Sequence, residues 1–408
     1  MVKRRASPAD GTAAIAHRLY ELLVANSGSD PFEEALKLIV LWAYNSRAKK
    51  DREESAQDPR KGIENANRVL AEAVAEWPDI LVSDHISLTD EHFSVCFSVL
   101  QSTSISFDPV VLDDIFEYIV SREAKSTKGQ FFTPRHVIDL CLDLVSPKKG
   151  ETLVDPACGS GAFLTHALKR SSVAPTDVWG FDYDERATRV ARLSLYLSGV
   201  DQPNIHHLNS LECPASLARR MRTLFSKENL PNEDHSTIEA LCSARRVQGG
   251  RFDIVVANPP FAGEVREREL LDAYTVSSGK SHIERDALFL ERCVMLIRPG
   301  GRFALVLPHS LMSNVKWRPL RQWFLKNCSV TTVVGLGRNT FLPHTHQKAV
   351  IATGMRRRSN APRCADEAVR FIVSDKPGKD SRGQLLRAPN NPDMIDHDFA
   401  DILSLARS

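Results

Sequence analysis

The chain has no excess of charge, no paired cysteines and no long apolar run, and each absence removes a class of protein. Lys and Arg number 53 against 51 Asp and Glu, a formal charge of +2 over 408 residues. A protein that grips nucleic acid unaided carries a basic surplus, so any nucleic-acid surface here is local or shared with a partner. The 8 cysteines stand singly, without a CxxC pair, so neither a zinc site nor a disulfide framework is indicated, and reduced core residues are expected. No apolar stretch reaches the ~18 residues of a membrane span, and the start MVKRRASPADGTA lacks the apolar core of a signal peptide. A soluble, cytoplasmic enzyme of two or three domains with ample core is expected.

Two short strings stand out against this background. In the first, DPACGSGAFL from Asp155 to Leu164, the run Glu151-Thr152-Leu153-Val154 reads as a buried strand ending at Asp155-Pro156. A small-residue turn follows, then the helical pattern from Ala162 to Leu168; the whole is strand, glycine turn, helix. Gly159 and Gly161 let the backbone approach a ligand closely, and the helix N-terminus offers unpaired N–H groups to a carboxylate or phosphate.

The second string, NPPF from Asn258 to Phe261, ends the strand pattern Phe252 to Ala257, and its two prolines forbid further ladder pairing. In open α/β sheets ligands bind beyond the carboxyl ends of the strands, so both strings face one crevice. Asn258 offers a side-chain oxygen, Pro259 a carbonyl that no helix claims, Pro260 the rigid exit and Phe261 an aromatic face. Together they suit a planar base with an exocyclic amino group, whose nitrogen becomes nucleophilic when two acceptors take its hydrogens and pyramidalise it. No metal is required. A tight strand-end turn with a buried Phe is the plainer reading of NPPF taken alone.

DPACGSGAFL, NPPF and the upstream GQFFTP at Gly129 to Pro134 together resemble the modification subunits of type I restriction systems, which are S-adenosylmethionine-dependent DNA adenine-N6 methyltransferases. The resemblance spans roughly residues 108–358. It implies that Phe132, Thr133 and Pro134 close over the methionine end of the donor, and that Asp155, Ala157, Gly159 and Gly161 form the donor loop. Asp182 would hold the ribose hydroxyls; it lies 27 residues after Asp155, beyond the ~20 of dinucleotide-binding folds, with an Ala-Pro-Thr loop taking up the extra length. Asn209 falls where the family has an acid near the donor adenine, keeping an acceptor without the charge. The implied partners are double-stranded DNA and a separate specificity subunit, with a restriction subunit in some assemblies, and no membrane.

The expected fold is α/β: a doubly wound, Rossmann-like methyltransferase sheet with a terminal antiparallel hairpin, preceded by an α-helical domain. Boundaries are expected at 1–125 for the helical domain, 126–375 for the methyltransferase domain and 376–408 for a tail that could dock a partner. Within the helical domain, Asp30-Pro31-Phe32-Glu33 reads as a capping box opening an amphipathic run of Phe32, Leu36, Ile39, Val40 and Ala43. The next helix runs from about Ile63 to Trp77, and another starts at Asp108-Pro109. After NPPF, strands are expected at 302–307, 330–336 and 348–353. Residues 263–282 fit a flap over the target base as well as an ordinary surface loop, and position tips the balance to the flap. Residues 214–250 read as a solvated helix and loop, Arg356 to Arg358 as a strand end or a DNA contact, and His309, His344 and His346 as polar loop residues. The 55 residues beyond Thr353 are short for a base-reading domain of ~100 residues, so target choice is expected to come from elsewhere.

Two other functions stay open at this level. NPP-aromatic turns also serve protein glutamine, RNA guanine and cytosine-N4, although Phe at 261 and the FFTP element favour DNA adenine. A non-catalytic scaffold for DNA or subunits would leave one of the two strings free to drift, and both are intact.

Overall fold

The computed structural model describes residues 8–26, 28–48, 59–101, 109–123, 132–213, 215, 237–238, 247, 251–358 and 367–407. Two compact units emerge, one of residues 1–127 with 186–203, the other of 128–185 with 204–408.

The first unit is helical: α1 Pro8–Asn26, α2 Pro31–Ala48, α3 Ile63–Glu76, α4 Asp90–Gln101 and α5 Pro109–Glu123, with most of the helix Glu185–Leu197. Helix α2 begins as its sequence demands. Asp30 Oδ1 accepts from the Phe32 amide at 2.9 Å, and Pro31 fills a first-turn position whose N–H would have no partner. Glu33 does not close the box; it pairs with both terminal nitrogens of Arg189 at 2.9 and 2.5 Å. Besides the expected stripe, Leu38 and Leu41 are fully buried, so α2 is wrapped by its neighbours on more than one face. Its buried Lys37 donates to Glu34 at 2.8 Å and to the His85 carbonyl at 2.6 Å, which satisfies a charge that burial alone would make costly.

The second unit is built on eight strands: β1 Leu153–Asp155, β2 Val178–Asp182, β3 Asn204–His207, β4 Phe252–Ala257, β5 Ile297–Pro308, β6 Cys328–Gly335, β7 Ala349–Arg356 and β8 Arg370–Val373. Their spatial order is 8-6-7-5-4-1-2-3. Only β7 runs antiparallel to its neighbours β5 and β6, which makes the expected terminal hairpin; every other pairing is parallel. Strand β8, which no sequence pattern foretold, extends the sheet beyond that hairpin. Helices α6 Arg135–Val145 and α7 Ala162–Arg170 belong to this unit. The end of α6 is pinned to the sheet by Arg302, which donates to the Val145 carbonyl at 2.8 Å and pairs with Glu151 through both terminal nitrogens at 2.8 and 2.7 Å.

The tail folds back on its own unit. His136 of α6 stacks on His397 and lies beside Phe399 at ring distances of 5.5 and 5.3 Å. The terminal helix Phe399–Arg407 buries Phe399 and Ile402 and sends Arg407 to the Asp143 carbonyl at 3.0 Å. Residues 263–282 are likewise folded. A two-residue pairing closes their ends, and Leu270, Leu271, Tyr274 and Ser277 are buried, so the flap reading gives way to an anchored segment. The expectation for residues 214–250 lies almost wholly outside the described residues.

Gly354 shows how tightly the hairpin packs. A Cβ there would stand 2.2 Å from the Ser329 carbonyl oxygen and 2.8 Å from Val330 Cα, both backbone atoms that cannot swing aside. We expect Gly354→Ala to lower the urea midpoint by the equivalent of about 3 kcal/mol. Gly335→Ala, whose Cβ would meet nothing closer than 3.8 Å, serves as control, and equal midpoints for the two variants would contradict the packing described.

Candidate active site

Strand β1 sits between β2 and β4 in parallel register, with Leu153 opposite Val178 on one side and Ile254 on the other. All three strands therefore end at one sheet edge, and the two sequence strings meet there as expected. The turn after β1 is laid against the end of β2 by backbone and side-chain bonds. The Cys158 amide donates to the Phe181 carbonyl at 3.0 Å, and the Gly159 amide to Asp182 Oδ2 at 2.8 Å. Asp155 Oδ1 accepts from Ala157 at 2.9 Å. Gly159 and Gly161 take positive φ values of 53° and 85°, a region that disfavours any side chain. On the side where Gly159 lacks a Cβ, none of the described residues comes within 4 Å.

Gly180 of β2 allows the close approach behind this turn. A Cβ on it would be 2.6 Å from Ile205, 2.7 Å from Leu164 and 3.0 Å from the Cys158 sulfur, so the buried Cys158 packs into the space that Gly180 leaves. Tyr183, directly after Asp182, is 75% exposed at the same edge.

At the end of β4, the Asn258 side chain donates from Nδ2 to the Thr133 hydroxyl at 2.9 Å, across 125 residues of chain. Its Oδ1 is shielded from solvent and has no hydrogen-bond partner among the described residues. A buried acceptor left open in this way is uncommon and marks a place where a donor is missing. Phe261 is 8% exposed, its ring edge-on to Phe341 at 6.1 Å. Pro134 caps α6, its carbonyl accepting from Val137 at 2.8 Å and Ile138 at 3.1 Å, so the residue before it is held at the mouth of the site. Phe132, one residue before Thr133, is half-buried. Asn209 spends its side-chain oxygen on the Leu211 amide at 3.1 Å, forming a local turn.

Sequence reading missed the parts that stiffen this edge. In the helix Arg285–Leu296, Glu291 accepts from the Thr275 and Val276 amides at 2.9 and 2.8 Å. The fully buried Arg292 donates to the carbonyls of Ser210 at 2.6 Å and Glu212 at 3.1 Å. One helix thus ties down both the segment after NPPF and the turn at Asn209. The signal was a charged pair, Glu291-Arg292, interrupting the apolar run from Ala287 to Leu296. Two of the three arginines at the end of β7 are spent within the fold: Arg356 donates to the Ile297 carbonyl at 2.6 Å, and Arg357 pairs with Glu367. Among the described residues, no group of three His, Cys, Asp or Glu could hold a metal, and no helix is long and apolar enough to cross a membrane.

Of two carboxyls at the edge, Asp155 is buried and Asp182 half-buried. Desolvation lifts Asp155 from 3.8 to about 8, against the pull of the Ala157 amide. Asp182 is raised by the same cause, although the Asp184 and Gly159 amides oppose it. Such perturbed acids gather at functional sites, where burial is imposed by a ligand's requirements and not by stability.

Residues 108–396 match the model of the N-6 DNA Methylase family. The chain belongs to that family. Among curated family relatives, it is 26% identical over 253 residues to the methylase subunit of the type I restriction enzyme EcoEI of Escherichia coli, covering 58% of this chain and 45% of that one. To the type II methyltransferase M.VspI of Vibrio sp. strain 343 it is 22% identical over 289 residues, covering 67% and 62%. The chain thus spans about half to two thirds of the length of these relatives. The methyltransferase subunit of a type I restriction-modification system from Streptococcus thermophilus shares the fold, with a TM-score of 0.62 at 17% identity over 98% of this chain and 93% of that one.

The buried Asp155 gives this family member a pH signature. Its folded-state pKa is raised, so the folded chain holds a proton that the unfolded chain has released. That contribution to stability is complete below about pH 4 and is lost as pH rises through about 8. The urea midpoint should therefore fall between about pH 5 and about pH 8. In Asp155→Asn, which keeps the acceptor for Ala157, the fall should shrink, with Asp182 supplying the remainder. An unchanged slope in that variant would assign the titration elsewhere.

Proposed function

We propose that this chain is the modification subunit of a restriction-modification system and transfers a methyl group from S-adenosylmethionine to N6 of an adenine extruded from double-stranded DNA. The observation that carries the proposal is Asn258, an amide anchored on one side by Thr133 and carrying an open, buried acceptor on the other, at the edge where the glycine turn lies.

The donor's features suit the residues around it. The empty side of Gly159 and the positive φ at Gly159 and Gly161 leave room for a ligand to lie against the backbone. Asp155, Ala157, Gly159 and Gly161 would flank its methionine half, Asp182 would reach the ribose diol with oxygens already aligned by backbone amides, and Asn209 would line the far end. When bound, the donor supplies an electrophilic methyl on a positively charged sulfur. Asn258 Oδ1 and the Pro259 carbonyl then accept the two hydrogens of the adenine amine, withdrawing its lone pair from the ring and directing it at the methyl carbon. With its two hydrogens accepted by Asn258 and Pro259, the amine nitrogen would take the methyl as the donor's carbon–sulfur bond breaks, and the proton it then sheds would pass to water. Pro260 keeps the chain from rejoining the sheet, and Phe261, braced by Phe341, offers its ring to the extruded base.

Target choice belongs, in this reading, to a separate specificity subunit. A formal charge of +2 leaves most phosphate contacts to that partner. The isolated chain should bind the donor and methylate DNA poorly.

Calorimetry and tritiated methyl transfer to genomic DNA, followed by nucleoside mass spectrometry, test these assignments. Asn258→Ala should keep donor affinity and slow transfer at least ~100-fold. Phe261→Ala should weaken capture of the base by ~1–3 kcal/mol. Asp182→Ala and Gly161→Val should lose donor affinity. Wild-type transfer in Asn258→Ala, or N4-methylcytosine as the product, would refute the assignment.

A further inference from the structure

We propose that Thr133 is a positioning residue for Asn258: its hydroxyl holds the amide plane so that Oδ1, and not Nδ2, faces the substrate amine. This rests on the reading of Asn258 above, and it departs from the resemblance, which places the FFTP element on the donor. The terminal torsion of an asparagine is broad and nearly two-fold, so the two faces of the amide differ only in which atom is oxygen. In one orientation the substrate's hydrogens meet an acceptor. In the other they meet a second NH2 group, and the lone pair stays in the ring.

In the structure Nδ2 is spent on Thr133 Oγ1 at 2.9 Å and Oδ1 is left open, which is the first of these orientations. Its value depends on how firmly the hydroxyl is held, and three attachments hold it. Pro134, next in the chain, has its φ locked by its ring and accepts the first two bonds of α6. Helix α6 buries Val137, Ile138, Leu140, Cys141 and Leu142 and is fastened at its far end by Arg302. At its near end, His136 lies 3.2 Å from the Pro377 carbonyl and packs against His397 and Phe399. The C-terminal segment thus braces the helix that starts two residues after the positioning hydroxyl.

Three variants of the full chain, co-purified with any partner it binds, decide the matter: Thr133→Val, Thr133→Ser, and Thr133→Val combined with Asn258→Ala. The readouts are the single-turnover methyl-transfer rate on DNA and the dissociation constant for S-adenosylmethionine. Thr133→Val removes the acceptor with little change of shape and should slow transfer about 10-fold, with donor affinity within about 2-fold of wild type. Thr133→Ser should restore the rate. With Asn258→Ala already present, Thr133→Val should cost nothing further, because there is no amide left to orient. A wild-type rate in Thr133→Val, loss of donor affinity in it, or additive losses in the double variant would each overturn the proposal while leaving the role of Asn258 standing. A wild-type chain that transfers no methyl to adenine would overturn both.

Discussion

Parallel pairing on both sides of β1 is the constraint on which the site depends. Strand β1 stops at Asp155, opposite Gly180, while β2 continues to Asp182. On the other flank Val154 stands opposite Val255, and the chain runs on through Ala257 to Asn258. The acid and the amide therefore both project about two residues, roughly 7 Å, past the end of the strand between them. Over β1, in the notch this leaves, lies the glycine turn, bonded to the end of β2 through the Cys158 and Gly159 amides and bare of side chain at Gly159.

Such a notch collects polar groups that cannot all be satisfied by the fold. Two carboxyls are raised by burial, and an amide oxygen has no partner among the described residues. Each lowers stability, and a chain selected only for stability would replace them. Their joint presence at one edge is the expected mark of a site that trades stability for function. The surroundings compensate. Glu291, Arg292 and Arg302 each satisfy two or more backbone or side-chain groups that loops would otherwise leave exposed or buried without partners. The site edge is soft in its polar contacts and rigid in its frame.

The helical unit solves a different problem. Helix α2 is buried on several faces, so its polar residues need partners inside the unit. Glu34 takes Lys37 and the Ser87 amide, Glu33 takes Arg189, and Arg186 and Arg189 both lie over the ring of Phe32 at 5.0 and 5.6 Å. Breaking one member of such a set leaves a buried charge without its counterpart, a heavier loss than any exposed ion pair would inflict.

Local chemistry was enough to write much of this from the sequence. Asp155-Pro156 and Asn258-Pro259-Pro260 end strands because proline cannot pair. Gly159 and Gly161 turn the chain because only glycine rests easily at positive φ, and Asp30-Pro31 opens a helix because its first turn wants an acceptor and no extra N–H. Pairings between residues far apart were beyond such reading. Glu33 completes a capping box by every local rule, yet Arg189 lies 156 residues away and offers a charge-assisted bond that a backbone amide cannot match. Strand β8 carries only four residues, too few for alternation to register, and Glu291 holds the residues after NPPF as Arg292 holds the turn at Asn209. The Thr133–Asn258 bond belongs with these. The sequence by itself determined which residues could act and where the backbone had to turn; the tertiary structure alone decided which polar atoms were spent on one another and which acceptor was left open, because hydrogen-bond satisfaction is a property of the packed chain and not of any segment within it.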